Sequence, residues 1–259
     1  MAANPDGDVY VAGRTNGTLQ GQASAGGDDA FLRRYNADGD EIWTLQFESS
    51  ESDSASDVAV DAEGNVYVAG FTDGAQPSQD GAGDGDAFVS KYGPDGSEVW
   101  TRQFSHENSY DSAESVALDG AGNVFVAGHT EPLSDGTMDA SERSGFLRKV
   151  DSDGTEQWGL VFGDLFNTVP GVAADGDGNV YVAGATATGK VIGDAVVRKY
   201  DTSGEELWTQ QFGTPMHDTG IDVAIDGQGR VYVVGLTQDA LPEQTRSGAQ
   251  AAYIVQLAQ

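Results

Sequence analysis

His106, His129 and His217 are the three histidines of the chain. Side chains that titrate near neutrality could bind a ligand or metal, or form an acid–base constellation. No metal-ligand spacing joins them, and three surface histidines without a special role are the plainer explanation. A second set recurs at one position of an internal repeat: Asp53-Ser54, Asp111-Ser112, Asn167-Thr168 and Asp218-Thr219. Converging oxygens from Asp53, Asp111, Asn167 and Asp218 would suit a hard cation such as Ca²⁺, with Asp57 and Asp222 a little deeper in the same segment. The same residue types cap turns by bonding their own backbone, which accounts for the set without an ion. Asp80, Asp84 and Asp86 form another acidic group, whose spacing matches neither an EF-hand nor a tandem nonapeptide calcium repeat. No nucleophile elbow, HExxH, P-loop or dinucleotide glycine pattern occurs, so no catalytic residue is assigned and no cofactor is required.

The 259 residues carry 42 acidic and 13 basic side chains, a net charge of -29, and no cysteine. Disulfides, thiolate metal sites and cysteine nucleophiles are therefore excluded. The long-range field repels phosphate, which argues against nucleic acid or an anionic membrane as partner. No apolar run reaches the ~18 residues of a membrane span, and the N-terminus lacks the basic and apolar regions of a signal peptide. Of the acids 29 are Asp, placed mostly in turns and loops, while Lys is reduced to four. Such a surface over an ordinary apolar core resembles proteins of salt-loving microbes, in which bulk salt screens self-repulsion. Stability is expected to rise with salt; thermal denaturation showing equal or lower stability at ~2 M than at ~0.1 M salt would contradict this.

These candidate groups hang on a repeat. Val9-Tyr-Val-Ala-Gly13 returns as Val66–Gly70, Val124–Gly128, Val180–Gly184 and Val231–Gly235. A second segment follows each, beginning at Asp29, Asp86, Ser144, Asp194 and Ala251. A third carries Trp43, Trp100, Trp158 and Trp208, and a fourth is Val-Ala-Val-like, as in Asp57–Asp61. All are short and rich in Val, Tyr, Phe, Ile and Trp, with Gly, Asp and Asn between them, which predicts strands joined by tight turns. The unit is a four-stranded antiparallel meander, lettered A to D from the inside out. Repetition near 50 residues predicts a β-propeller. Seven of the 13 basic residues lie in strand C beside Glu41, Glu98, Glu156, Glu205 or Glu206 and the strand D Trp. Cross-strand ion pairs and cation–π contacts explain them without a basic ligand groove.

Residues 86–100 and 58–72 resemble the repeat called SBBP, whose form is Asp-Ala-Phe-Val-x-Lys-Tyr-x-x-x-Gly-x-x-x-Trp and Val-Ala-Val-Asp-x-x-Gly-Asn-Val-Tyr-Val-x-Gly-x-Thr. Asp201–Trp208 is also similar to the tryptophan-docking motif of quinoprotein propellers. The resemblance implies the propeller fold and an extracellular or cell-surface setting, and little about activity. The family name implies seven blades, whereas five copies are present. The expectation is an all-β, five-bladed β-propeller forming one domain over 1–259, with blades about 1–48, 49–105, 106–163, 164–213 and 214–259. The last blade lacks its outer strand, strand A of the first blade packs against it, and its open edge is available for self-association. A piece of a longer propeller is the competing explanation.

The B–C links run 13 residues at 16–28, 73–85, 131–143 and 238–250, and seven at 187–193, with almost no shared sequence. Divergent loops on a rigid frame are the usual layout of a binding surface, and surface filler is the plain alternative. The leading functional expectation is thus non-catalytic binding or scaffolding, with a protein or polysaccharide held on the face of the B–C and D–A loops. The alternatives are a propeller enzyme with its site at the tunnel mouth, as a carboxylate glycosidase or a lyase using His129 and a cation, and a structural surface-assembly protein.

Overall fold

The computed structural model describes all residues except 25, 48–50, 75–84, 107, 135–136, 139–142, 164–168, 187–192, 240–249 and 258–259, and it leaves out the side chains of 134, 137 and 138. The chain is all-β, with no α-helix among the described residues. Twenty strands form five antiparallel sheets. The first is β1 (Ala2–Ala3), β2 (Val9–Thr15), β3 (Asp29–Tyr35) and β4 (Glu41–Gln46), in that order. The second is β5 (Asp53–Val60), β6 (Val66–Thr72), β7 (Asp86–Tyr92) and β8 (Glu98–Phe104). In the third, β9 (Ser109–Leu118) pairs with β10 (Val124–Ser134), and the path β11-β10-β12-β13 adds β11 (Thr137–Met138), β12 (Ser144–Val150) and β13 (Glu156–Val161). The fourth is β14 (Gly171–Ala174), β15 (Val180–Ala185), β16 (Ala195–Tyr200) and β17 (Glu206–Phe212). The fifth has three strands, β18 (Asp218–Ile225), β19 (Val231–Thr237) and β20 (Ala251–Gln256).

These are the predicted A, B, C and D strands, and sequence order equals spatial order in each meander. One local difference falls in the 131–143 link, expected as loop: β10 runs on to Ser134, and β11 pairs back on it in the register Leu133↔Met138.

The chain divides into two compact units, 1–118 with 130–139, and 119–129 with 140–259. In the first, Tyr10, Ala30 and Leu32 of sheet one form a core with Val58, Val66, Val68 and Phe88 of sheet two. In the second, Tyr181, Ala183 and Val197 of sheet four pack with Val223, Val231 and Val233 of sheet five. A middle strand covered on both faces is apolar at every position, and so Val66, Tyr67, Val68 and Ala69 are all buried.

The acid-rich turns have a repeated construction. In the A–B turn of sheet two, the amides of Glu63 and Asn65 donate to Asp61 Oδ1 (3.1 and 2.8 Å), and Gly64 takes a left-handed conformation at φ 82°. The carboxylates of Asp119, Asp175 and Asp226 cap the A–B turns that follow in the same way. In the C–D turns Asn36, Asp151 and Asp201 do so. Much of the Asp excess is therefore turn chemistry.

Candidate functional site: the strand-start carboxylates and their partners

Strand A begins with a buried carboxylate in three of the sheets: Asp53, Asp111 and Asp218 are each at most 1% exposed. Their amides reach the preceding sheet. Asp53 N–H donates to the Asp28 carbonyl (2.7 Å), Asp111 N–H to Gly85 (2.9 Å) and Asp218 N–H to Gly193 (3.0 Å), each acceptor lying just ahead of strand C. The Asp218 carboxylate accepts from the Thr214 amide and hydroxyl (2.6 and 2.9 Å), closing the turn that leads into β18. Asn167, the fourth member of the predicted cation set, lies outside the described residues, as do Asp80 and Asp84.

Two of the residues singled out from sequence meet. His106 Nδ1 lies 2.7 Å from Asp111 Oδ1, the His106 amide donates to Asp111 Oδ2 (2.9 Å), and so does the Ser109 hydroxyl (2.9 Å). His129 is buried within β10, and His217 precedes Asp218 with its carbonyl accepting from the Gln238 amide (3.0 Å). Among the described residues no three His, Asp or Glu side chains converge as a metal-binding group.

Burial pushes the Asp111 carboxyl up, but the His106 ring and amide and the Ser109 hydroxyl outweigh it and hold the carboxyl below its ordinary value. A depressed folded-state value means stability present above the unfolded carboxylate pKa of about 3.9 and lost as pH falls through the folded value. Asp111→Asn should therefore cost about 1–3 kcal/mol near neutrality. The deficit should hold down to about pH 4 and shrink below it, where the parent carboxyl is itself protonated. Urea titrations of both chains at pH 7 and pH 3 check this; a deficit of the same size at both would contradict it.

The sequence reading missed a second polar pair. The strand D amides of Gln46, Gln103 and Gln211 donate to the strand C carboxylates of Asp29, Asp86 and Asp194 at 2.6, 2.7 and 2.6 Å. Gln46 and Gln103 also reach the Gly17 and Gly74 carbonyls (3.2 and 3.1 Å), tying strand D to the start of the B–C link. The signal was present: in sheet three Ser144 stands where Asp29 would, and Val161, opposite Phe146, stands where Gln46 would. Both partners are replaced together, as expected of a pair whose lone member would be an unsatisfied buried group.

Two of the four tryptophans, Trp43 and Trp158, dock on the C–D turn of the next sheet. Trp43 Nε1–H donates to the Pro94 carbonyl in the C–D turn of the next sheet (3.1 Å), and Trp158 Nε1–H donates to Thr202 in the same way (3.1 Å). Arg34 and Lys149 donate to the same two carbonyls (2.6 and 3.0 Å). The expected ion pairs form at Arg33–Glu41, Arg148–Glu156 and Arg198–Glu206. The cation–π partner differs from the Trp expected. Arg34, Lys91, Lys149 and Lys199 lie over the strand B rings of Tyr10, Tyr67, Phe125 and Tyr181. Each cation stands between two rings: Tyr10 and Trp43 are both opposite Arg34, Tyr67 and Trp100 opposite Lys91, and Tyr181 and Trp208 opposite Lys199.

Among the described residues, the carboxylate oxygens Asp29 Oδ1 and Asp218 Oδ1 are buried without a hydrogen-bond partner. Beside the latter, a Cβ on Gly213 would stand 2.7 Å from Asp218 Oδ2 and 3.0 Å from Asp194 Oδ1, so two carboxylates flank that backbone. On the turn side, a groove of about 520 Å³ between the A–B turns of sheets four and five is lined by Asp175, Asp177 and Asp226 among others. Asp175 and Asp226 are engaged by the amides of their own turns.

Comparison with known proteins finds likenesses to these features. Residues 42–75, 99–131 and 207–241 match the SBBP β-propeller repeat, each match running from the outer strand of one sheet to the second strand of the next. The chain is 26% identical over 219 residues to the regulatory protein FlaEY of Caulobacter vibrioides, covering 76% of this chain and 22% of that protein. It is 28% identical over 174 residues to an uncharacterized WD repeat-containing protein of Acanthamoeba polyphaga mimivirus, covering 56% and 12%. The chain thus spans less than a quarter of the length of these curated relatives. A solved structure of a protein of unknown function from Dyadobacter fermentans is similar with a TM-score of 0.51 at 12% identity, covering 92% of this chain and 74% of that one, a likeness of fold. The meander and the docked tryptophans go with these matches: three stretches of the chain are similar to the SBBP β-propeller repeat.

Proposed function

We propose that the five sheets are five blades of one β-propeller domain, the last without its outer strand, which works as a non-catalytic binding or scaffolding module. A protein or glycan is held on the face of the B–C and D–A loops. One observation carries this reading. The residues that recur from blade to blade hold the frame together, while the B–C links share almost no sequence, and the frame seats them. The first link shows how: the Leu19 amide donates to Gln46 Oε1 (2.9 Å) and the Gln46 amide to Gln22 Oε1 (3.1 Å), so a recurring strand D residue fixes a unique loop. Variation there changes what is displayed without disturbing what displays it. A glycan array and a pull-down with the full chain, repeated after residues 16–24 and then 131–134 are replaced by Gly-Ser of equal length, test it. Binding lost on replacement supports the reading; no ligand, or binding indifferent to every link, rejects it.

A second reading concerns an accessory ion, favoured by the partnerless Asp29 Oδ1 and Asp218 Oδ1. Buried carboxylate oxygens are ordinarily satisfied, and a hard cation such as Ca²⁺ at strand starts would satisfy them. Its role would be to lock adjacent blades. Melting temperature should then rise with Ca²⁺ in the parent and not in Asp218→Asn; no rise up to ~10 mM, well above the extracellular Ca²⁺ affinity range, rejects it.

A further inference from the structure

Asn16-Gly17-Thr18 is the only Asn-x-Ser/Thr stretch in the chain, and its middle residue is glycine rather than proline. Such an asparagine is an acceptor for N-linked sugar where the chain holds it out in solvent. Here it is held out on a built turn. The Gly17 amide donates to Thr15 Oγ1 (3.2 Å), and that hydroxyl donates to the Gly17 carbonyl (3.1 Å), at the end of β2. Thr72 with Gly74 and Thr237 with Asp239 make the same pair of bonds in sheets two and five. The turn therefore belongs to the recurring frame, and Asn16 stands at its tip where Asp73 and Gln238 stand in the other two. Beyond the turn Gln46 fixes the chain again, donating to the Gly17 carbonyl (3.2 Å) and accepting from the Leu19 amide (2.9 Å).

Between these anchors Asn16, Gly17 and Thr18 are all exposed, and a Cβ on Gly17 would meet nothing within 4 Å. Neither the Asn16 carboxamide nor the Thr18 hydroxyl has a hydrogen-bond partner among the described residues, so both groups of the acceptor sequence are open at once. The link also differs in charge from its counterparts of equal length. Residues 16–27 carry no charged side chain, whereas the links at 73–85, 131–143 and 238–250 carry three, four and two acids. A glycan would give this link the hydration that carboxylates give the others. We infer that Asn16 is a site of N-glycosylation, taking an oligosaccharide from a polyprenyl phosphate or pyrophosphate donor. Asn16 Nδ2 attacks C1 of the donor's first sugar: the Nδ2–C1 bond forms and the C1–O bond to the lipid phosphate breaks. The phosphate leaves with that electron pair, and one Nδ2 proton is released to solvent. Nothing is oxidised or reduced.

The inference stands on the acceptor sequence and its exposure, not on the loop face holding a ligand, so peptide mass reads it independently of any binding test. Cleavage after Arg14 and Arg33 releases residues 15–33 as one tryptic peptide. From the full chain purified from its native cells, that peptide should be heavier by at least one sugar, with fragmentation placing the sugar on Asn16. The gain should vanish in Asn16→Gln and in Thr18→Ala, and it should persist in Thr18→Ser, which keeps the hydroxyl. All three substitutions fall on exposed side chains without partners, so the fold is not at stake. A bare parent peptide overturns the inference. So does a gain no larger than that of deamidation at Asn16, or a sugar that survives Thr18→Ala.

Discussion

Gly70→Ala should cost about 3 kcal/mol or more and in the limit prevent folding, while Gly13→Ala should cost far less. Both glycines close the same strand B motif. They differ in what lies opposite. A Cβ on Gly70 would fall on the Ser54 carbonyl oxygen, because β5 runs alongside β6 with a bulge between Ala55 and Asp57 that brings its backbone close. Gly235 meets the Thr219 carbonyl beside the equivalent bulge of β18, between Gly220 and Asp222. Backbone in a paired ladder cannot step aside as a side-chain end can. The first sheet has only Ala2–Ala3 as strand A, paired with Val9 and Tyr10, so Gly13 has no strand A opposite. A Cβ there would meet the Phe31 ring at 3.1 Å, and a ring edge on a half-buried residue can shift. Urea midpoints of the two variants decide the matter: equal losses, or a tolerated Gly70→Ala, would mean that the bulge does not set the glycine.

The bulge also explains Asp57. Its carboxylate accepts from the Val58 amide (2.8 Å) and, across to the next strand A, from the Val116 amide (3.0 Å) and the Ser115 hydroxyl (3.2 Å). A residue that looked from sequence like a deeper member of a cation set thus joins two inner strands.

Much of the architecture was legible because propeller sheets write themselves plainly. Strands buried on both faces are apolar throughout, their turns need Gly and Asp at fixed offsets, and five imperfect copies reinforce the pattern. Which strands carry ions and tryptophans was legible for the same reason. The partners were less so. The aromatic ring under Arg34 or Lys199 is one of two that flank it on strands B and D, a choice that no single strand displays. The Asp29–Gln46 pair joins residues 17 apart that lie on neighbouring strands, and only the joint replacement by Ser144 and Val161 betrays it. The Asp53, Asp111 and Asp218 position was open in sequence, because oxygens that cap a turn and oxygens that hold a cation are the same atoms. The structure adds that Asp111 is engaged by His106 and Ser109, and that Asp218 has one engaged oxygen and one buried without a partner. Most of the B–C links lie outside the described residues.

The second large effect follows from blade stacking. Val197 and Ile254 occupy the same place in consecutive sheets, opposite Ala183 and Val234, yet one is fully buried and the other 72% exposed. A carboxylate at Val197 would be buried without a partner against Val223 and Val233 of the next sheet. An uncompensated buried charge is among the few mechanisms that exceed about 4 kcal/mol. A carboxylate at Ile254 enters water and should change monomer stability by no more than about 0.5 kcal/mol. Sheet four is covered by sheet five at Val197, whereas Ile254 on sheet five faces water. That contrast is tested most directly by comparing urea unfolding of Val197→Asp and Ile254→Asp against the parent, at a concentration low enough that all three are monomeric. Collapse of the first with a parent-like midpoint for the second is the predicted result; equal destabilisation of both, or tolerance of both, would contradict it.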